Sequence, residues 1–213
     1  MKMLLKIDLH VHTKRSQDAF TDPDIIPQIV KKRGLDGVAI TEHDMPSSCR
    51  SEEILFVPGI EVSSMDGHII ALGTRDAVPK GLSADHTIEL LRSRNCVIVI
   101  PHPYDISSPS VDPLCLRNSV DGIETVNSAM IPFWLAKRKS EKAAKALRVS
   151  MVAGSDSHIP STIGDAYTLL DVSSPSVEGV LESIRSGRAT PCGSSTSTRN
   201  RILGLRMALA RSL

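Results

Sequence analysis

Short runs of Val, Ile and Leu alternate along the chain with stretches whose apolar residues recur at helical spacing. The runs predict strands over Met3–Val11, Gly37–Thr41, Ile54–Val62, His68–Gly73, Val97–Ile100, Asp121–Val126 and Ser150–Ala153. They are nearly continuous in apolarity, as expected of strands buried on both faces. Pro23–Arg33 places Ile25, Ile26, Ile29 and Val30 on one helical face, between a cap at Asp22 and a stop at Gly34. Thr87–Arg94, Pro132–Leu147 and Ser176–Arg185 read as further helices. This alternation predicts an α/β chain with a mostly parallel sheet and helical crossovers. Strands in that number predict a closed or distorted barrel. Only a turn, Ser63–Gly67, separates the third and fourth strands, so a local hairpin is expected there. The Ser/Thr-rich run Gly193–Thr198 leads into a short helix, Ile202–Leu213, expected to pack on the barrel. With no internal repeat and no convincing linker, residues 1–213 read as a single domain, the barrel filling about 1–190.

Composition narrows the function classes. Hydrophobic residues make up 41% and charged residues 23% of 213 residues, enough to build a core. The net charge is +1, from 25 basic and 24 acidic residues, which excludes a general basic coat for nucleic acid. Aromatic residues, at 3%, are too few for a base-stacking surface. Cys49, Cys96, Cys115 and Cys192 are scattered, with no C-x-x-C pair, and fit a reducing cytosol. The start reads as a first strand rather than an export signal, and no apolar run is long enough to span a membrane. A cytoplasmic protein with no membrane partner is expected.

The histidines change the picture. His10 and His12 follow Asp8 at the end of the first strand, two apart and hence on one side. His43 follows the second strand, His102 follows Val97–Ile100, and His158 follows the last strand. These ends converge on one face of a β/α barrel. Asp18, Glu61, Glu124 and Asp156 fall at similar positions. His68 opens a strand and remains open between a structural and a functional role; His86, at a helix start, reads as incidental. Mixed imidazole and carboxylate groups suit Zn, Mn or Fe. The candidates outnumber the ligands of one tetrahedral site, so two or three divalent ions are expected.

The motifs Asp8-Leu9-His10-Val11-His12, Thr41-Glu42-His43-Asp44, Gly59-Ile60-Glu61, Pro101-His102-Pro103, Ile123-Glu124 and Gly154-Ser155-Asp156-Ser157-His158 occur in this order. Together they resemble the PHP (polymerase and histidinol phosphatase) family over residues 1 to about 190. The resemblance implies a distorted (β/α)7 TIM-like barrel with a trinuclear metal site. His10, His12, Glu61 and Asp156 would hold one metal. Glu61 would bridge to a second, held also by His102, and Asp18, His43 and His158 would hold a third. His68 matches a histidine of some phosphoesterase members, in Gly-His-Ile-Ile-Ala-Leu-Gly. Many members carry Asp where this chain has Glu42, which would then sit behind the ligands. In many members the acid stands one residue earlier, where this chain has Gln17; here it is Asp18.

The expected reaction is hydrolysis of a phosphomonoester or nucleotide by a hydroxide shared between metals, with His10, His12, His43, Glu61, His102, Asp156 and His158 setting those metals. Arg15, with Lys14 beside it, and Arg138 are candidates for gripping substrate phosphate. Two alternatives are a metal-dependent exonuclease on DNA or RNA ends and a non-catalytic RNA-binding scaffold. A third is hydrolysis of an amide or lactone on a related barrel. The expected partner is a small phosphorylated substrate, with a nucleotide or oligonucleotide as the alternative; nothing selects an oligomeric state.

Overall fold

The computed structural model describes residues 3–211. Met1 and Lys2, and the expected helix end at Ser212 and Leu213, lie outside them. The strands are β1 (Met3–Val11), β2 (Gly37–Ile40), β3 (Leu55–Ser64), β4 (Gly67–Leu72), β5 (Val97–Ile100), β6 (Gly122–Asn127), β7 (Ser150–Gly154), β8 (Ala166–Val172) and β9 (Ala189–Gly193). The helices are α1 (Ile26–Lys32), α2 (Ala84–Ser93), α3 (Phe133–Leu147), α4 (Val177–Arg185) and α5 (Thr198–Arg211). Local chemistry sets their starts: the side chains of Ser83 and Ser176 cap α2 and α4 by accepting from the His86 and Gly179 amides.

All nine strands form one sheet in the order β7-β6-β5-β4-β3-β2-β1-β8-β9. β7 packs against β8, β9 and β1, so the sheet curls into a distorted, nearly closed barrel. The seam between β7 and β8 is stitched by one side chain. Thr168 Oγ1 accepts from the Ala153 amide at 2.8 Å and donates to the Ala153 carbonyl at 2.9 Å. The expected mostly parallel sheet is corrected here: β4 and β8 run against the other strands. The β3–β4 hairpin is present as expected. Not every crossover is helical either, because β2 reaches β3, and β5 reaches β6, through loops without an α-helix. Those two loops carry His43 and His102 within their first three residues.

An apolar cluster joins Ile7, Val57, Leu72, Val97, Val152 and Leu170 to Val180 and Ile184 of α4. Strands from all round the sheet contribute to it, so this cluster is the barrel interior. α4, which follows reversed β8, touches β3, β5, β7 and β8 and plugs the lower end. The upper end, where the parallel strands finish, is left for polar side chains. Among the described residues no helix is long and apolar enough to cross a membrane.

Candidate metal centre

The upper end of the barrel gathers six of the seven histidines, five of them around one carboxylate. Glu61, on β3, is 1% exposed. Its Oε2 lies 3.3 Å from His10 Nε2, 3.3 Å from His12 Nε2 and 3.2 Å from His43 Nδ1. Its Oε1 lies 3.1 Å from His68 Nδ1 and 3.0 Å from His102 Nε2. His68 reaches this cluster because β4 is reversed, which brings the start of that strand beside the ends of its neighbours. Asp156 Oδ1 faces His10 Nε2 and His12 Nε2, each at 3.5 Å. Asp18 Oδ2 faces His43 Nε2 at 3.4 Å and His158 Nε2 at 3.2 Å. The structure thus brings together all nine residues named above as metal candidates. His86 is exposed on α2, away from the cluster.

Their partners orient the rings. His10 Nδ1 meets Glu124 Oε1 at 3.1 Å, which leaves Nε2 to face the cluster. Glu124 also accepts from the His102 amide at 3.0 Å and from Asn127 Nδ2 at 2.8 Å. Ser16 Oγ donates to Glu42 Oε2 at 2.6 Å and accepts from the His43 amide at 3.1 Å. The same hydroxyl lies 3.4 Å from His12 Nδ1. Glu42, fully buried, also accepts from the Thr13 amide and hydroxyl. Asp8 accepts from the Ser155 and Gly164 amides, each at 2.8 Å, and so ties the first strand to the loop bearing Asp156. Asp8 shares the alternate side of β1 with His10 and His12, a signal in its two-residue spacing; Asn127 carried no such signal.

The backbone is shaped to the same end. His102 has φ 33° and Asp156 φ 54°, conformations that L-residues rarely adopt outside tightly determined sites. At Gly154 a Cβ would stand 2.4 Å from His10 Cβ and 2.5 Å from Glu124 Oε1, so only glycine lets β7 approach His10 this closely.

Charge is concentrated here. Burial alone would lower the His10 pKa, but Asp156, Glu124 and Glu61 raise it well above the usual value. Burial likewise works against ionised Glu61 and Asp156, yet the imidazoles, His10 foremost, hold both far below the carboxylate range. Burial opposes a charged His158, and Asp18 and Asp156 still raise it to about 9. Asp8, outside this array, is pushed by burial to about 7.

The donors fit a divalent cation. His10 Nε2 and His12 Nε2 are 3.0 Å apart, so a proton or a cation must lie between the two lone pairs. Glu61 Oε2, His68 Nδ1 and His102 Nδ1 are buried without a hydrogen bond among the described residues. Left so, each costs about 1–3 kcal/mol. Four triads place one donor atom per residue within 4.8 Å of one another: His10, His12 and Glu61; His10, His102 and Asp156; His12, His43 and His158; and His43, Glu61 and His68. Imidazole with carboxylate suits borderline divalent metals.

The expected phosphate grips fare differently. Arg15 stands exposed at the rim, donating to Ser48 Oγ. Lys14 pairs with Asp22. Arg138 is exposed on α3, off the face that buries Ala136, Ser140, Ala143 and Ala144, and no bond joins it to the cluster.

Comparison with known proteins places this geometry in context. The PHP_C (PHP-associated) family model matches residues 134–189. An uncharacterised protein of Methanocaldococcus jannaschii is 30% identical over 141 residues, 58% of this chain and 82% of the relative. A probable phosphatase of Caldicellulosiruptor bescii is 27% identical over 204 residues, covering 76% of this chain and 83% of its own. In the fold, a two-domain Bacteroides vulgatus protein containing a predicted PHP-like metal-dependent phosphoesterase superposes with a TM-score of 0.70 at 18% identity, over 91% of this chain and 66% of that one. A lesion-specific endonuclease of Pyrococcus furiosus superposes with a TM-score of 0.66 at 16% identity, over 94% and 66%. The chain spans about two thirds of each of these two structures.

Proposed function

Because the chain belongs to the PHP family, we propose that it is a metal-dependent phosphoesterase that hydrolyses a small phosphomonoester or a nucleotide. The observation that carries this reading is Glu61, one buried carboxylate facing five imidazoles. A carboxylate so placed is suited to join two cations, and a second face, with Asp18, His43 and His158, offers room for a third. The proposed cofactor is therefore two or three ions of Mn, Zn or Fe. Bound divalent metals supply Lewis acidity toward phosphoryl oxygens and lower the pKa of a water nucleophile.

The protein's own part is to hold the donors. Glu124 and Ser16 fix the His10 and His12 rings, the left-handed turns at His102 and Asp156 aim their side chains inward, and Asp8 anchors the Asp156 loop. Arg15 is the cation we assign to a substrate phosphate oxygen, since its loop carries Ser16 and Asp18. The near-zero net charge favours a small substrate over a long nucleic acid, for which phosphate contacts dominate affinity. The four cysteines are free thiols, which suits a reducing compartment, and we place the protein in the cytoplasm.

The test is a phosphoester panel, from sugar phosphates through nucleotides to a labelled oligonucleotide, run with Mn, Zn, Fe and Mg. Hydrolysis of a small ester is expected, with Glu61→Ala lowering kcat/KM by at least about 100-fold and metal content in parallel. Cleavage of the oligonucleotide alone would move the activity to nuclease chemistry. No metal-stimulated hydrolysis anywhere on the panel would remove the phosphoesterase reading.

A further inference from the structure

A hollow of about 420 Å³ opens beside the candidate centre. Asp156 and His158 are among the residues that line it. Its walls are Ala129, Ile131 and Ile159 from the loops after β6 and β7, and Leu205 from α5. The polar groups that border it are already engaged. Arg201 donates to the Ser128, Ala129 and Thr196 carbonyls and to Ser195 Oγ. Asn200 and Ser161 bond to each other, and Thr162 Oγ1 donates to the Ile159 carbonyl. Apart from Asp156 and His158, what remains to meet an occupant is hydrocarbon.

The wall is built rather than loose. The Arg201 bonds pin the first turn of α5 to the loop after β6. At the other end, Arg211 bonds the Gln17 carbonyl and lies 4.4 Å over the Phe20 ring. In the middle, Gly204 borders the hollow, where a Cβ would meet only Ile159 Cδ1, at 4.0 Å. A glycine in mid-helix costs about 1 kcal/mol relative to alanine. Here it leaves open the space that a side chain would fill.

We propose that this hollow receives the organic part of the phosphoester, and that this part presents an apolar body about the size of a bicyclic aromatic. With the phosphate at the candidate centre, the adjoining substituent would lie past Asp156 and His158 against Ile159 and Leu205. The proposal rests on the phosphoesterase reading. It makes α5, most of whose residues are exposed, the element that selects among esters.

The experiment pairs binding with kinetics in wild type, Gly204→Ala and Gly204→Phe. Calorimetry follows 1-naphthol binding to metal-free protein. Hydrolysis of 1-naphthyl phosphate is compared with that of glycerol 3-phosphate in the presence of Mn. Replacing glycine strengthens helix propensity, so both variants are expected to fold. Gly204→Phe should weaken naphthol binding and raise KM for naphthyl phosphate by about tenfold or more, the scale on which apolar pockets discriminate. Gly204→Ala should match wild type, and glycerol 3-phosphate turnover should be unaltered in both. Naphthol binding and naphthyl phosphate KM that ignore Gly204→Phe would overturn the proposal. Naphthol binding lost in Gly204→Phe, with no ester of the phosphoester panel hydrolysed by wild type, would instead overturn the phosphoesterase reading, and the substrate role of the hollow with it.

Discussion

Glu42 shows how much of the centre depends on residues that hold no metal themselves. It is fully buried and is the acceptor for the Thr13 amide, the Thr13 hydroxyl and the Ser16 hydroxyl, the last of which touches both His12 and the His43 amide. Removing it leaves several buried donors unpaired, each at a cost of about 1–3 kcal/mol. Glu42→Ala should therefore destabilise the protein by roughly 3 kcal/mol in a urea titration, and Glu42→Gln, which keeps one acceptor oxygen, by less than half of that. Equal midpoints for the two variants would show that the carboxylate is not the anchor. The sequence marked the donors well, because His-x-His, Glu-His and Asp-x-His leave imidazoles and acids at strand ends. It marked their supports poorly. The roles of Asp8 and Asn127 are set by amides and side chains far along the chain, and no local pattern announces such bonds. For Arg138, the helical pattern of α3 already turned it off the buried face.

Among the elements, the seven predicted strands all formed, while β8 and β9 went unread. β8 alternates buried Ala166, Thr168, Leu170 and Val172 with half-buried neighbours, a weaker signal than a continuous apolar run. β9 is short, half exposed and carries Pro191, a residue confined to sheet edges. Reversed strands also cannot be told from forward ones by hydropathy, which is why β4 and β8 break the expected parallel order. β8 matters because its Thr168 hydroxyl serves both the amide and the carbonyl of Ala153 across the seam. Thr168→Val keeps the shape and removes both bonds, leaving two buried backbone groups unpaired. A loss of about 2–4 kcal/mol is expected, with faster amide exchange concentrated in β7. Exchange that rises evenly over all strands would show that the seam has no independent weakness.

For the molecule as a whole, the barrel packs opposite charges at one end and hydrocarbon at the other, and bound cations would complete the charged end. A ligand present at a thousand times its Kd stabilises a fold by about 4 kcal/mol. For a chain of this size that corresponds to roughly 10 °C in Tm. Stripping metal-loaded protein with a chelator should lower Tm by about that much, and His86→Ala should leave the drop intact, since His86 is exposed on α2. A Tm indifferent to the chelator would argue that protons alone balance the cluster.

Asp8 receives its amide partners from residues 147 and 156 positions further along. The last candidate ligand is His158, yet the second neighbour of β1 starts only at Ala166. On the ribosome, every donor of the centre therefore emerges before the barrel that positions them can close. A nascent chain carries a full complement of imidazoles and carboxylates in no fixed arrangement. Selective metal capture thus belongs to the finished chain, and the order of synthesis itself delays it until β8 has taken its place beside β1.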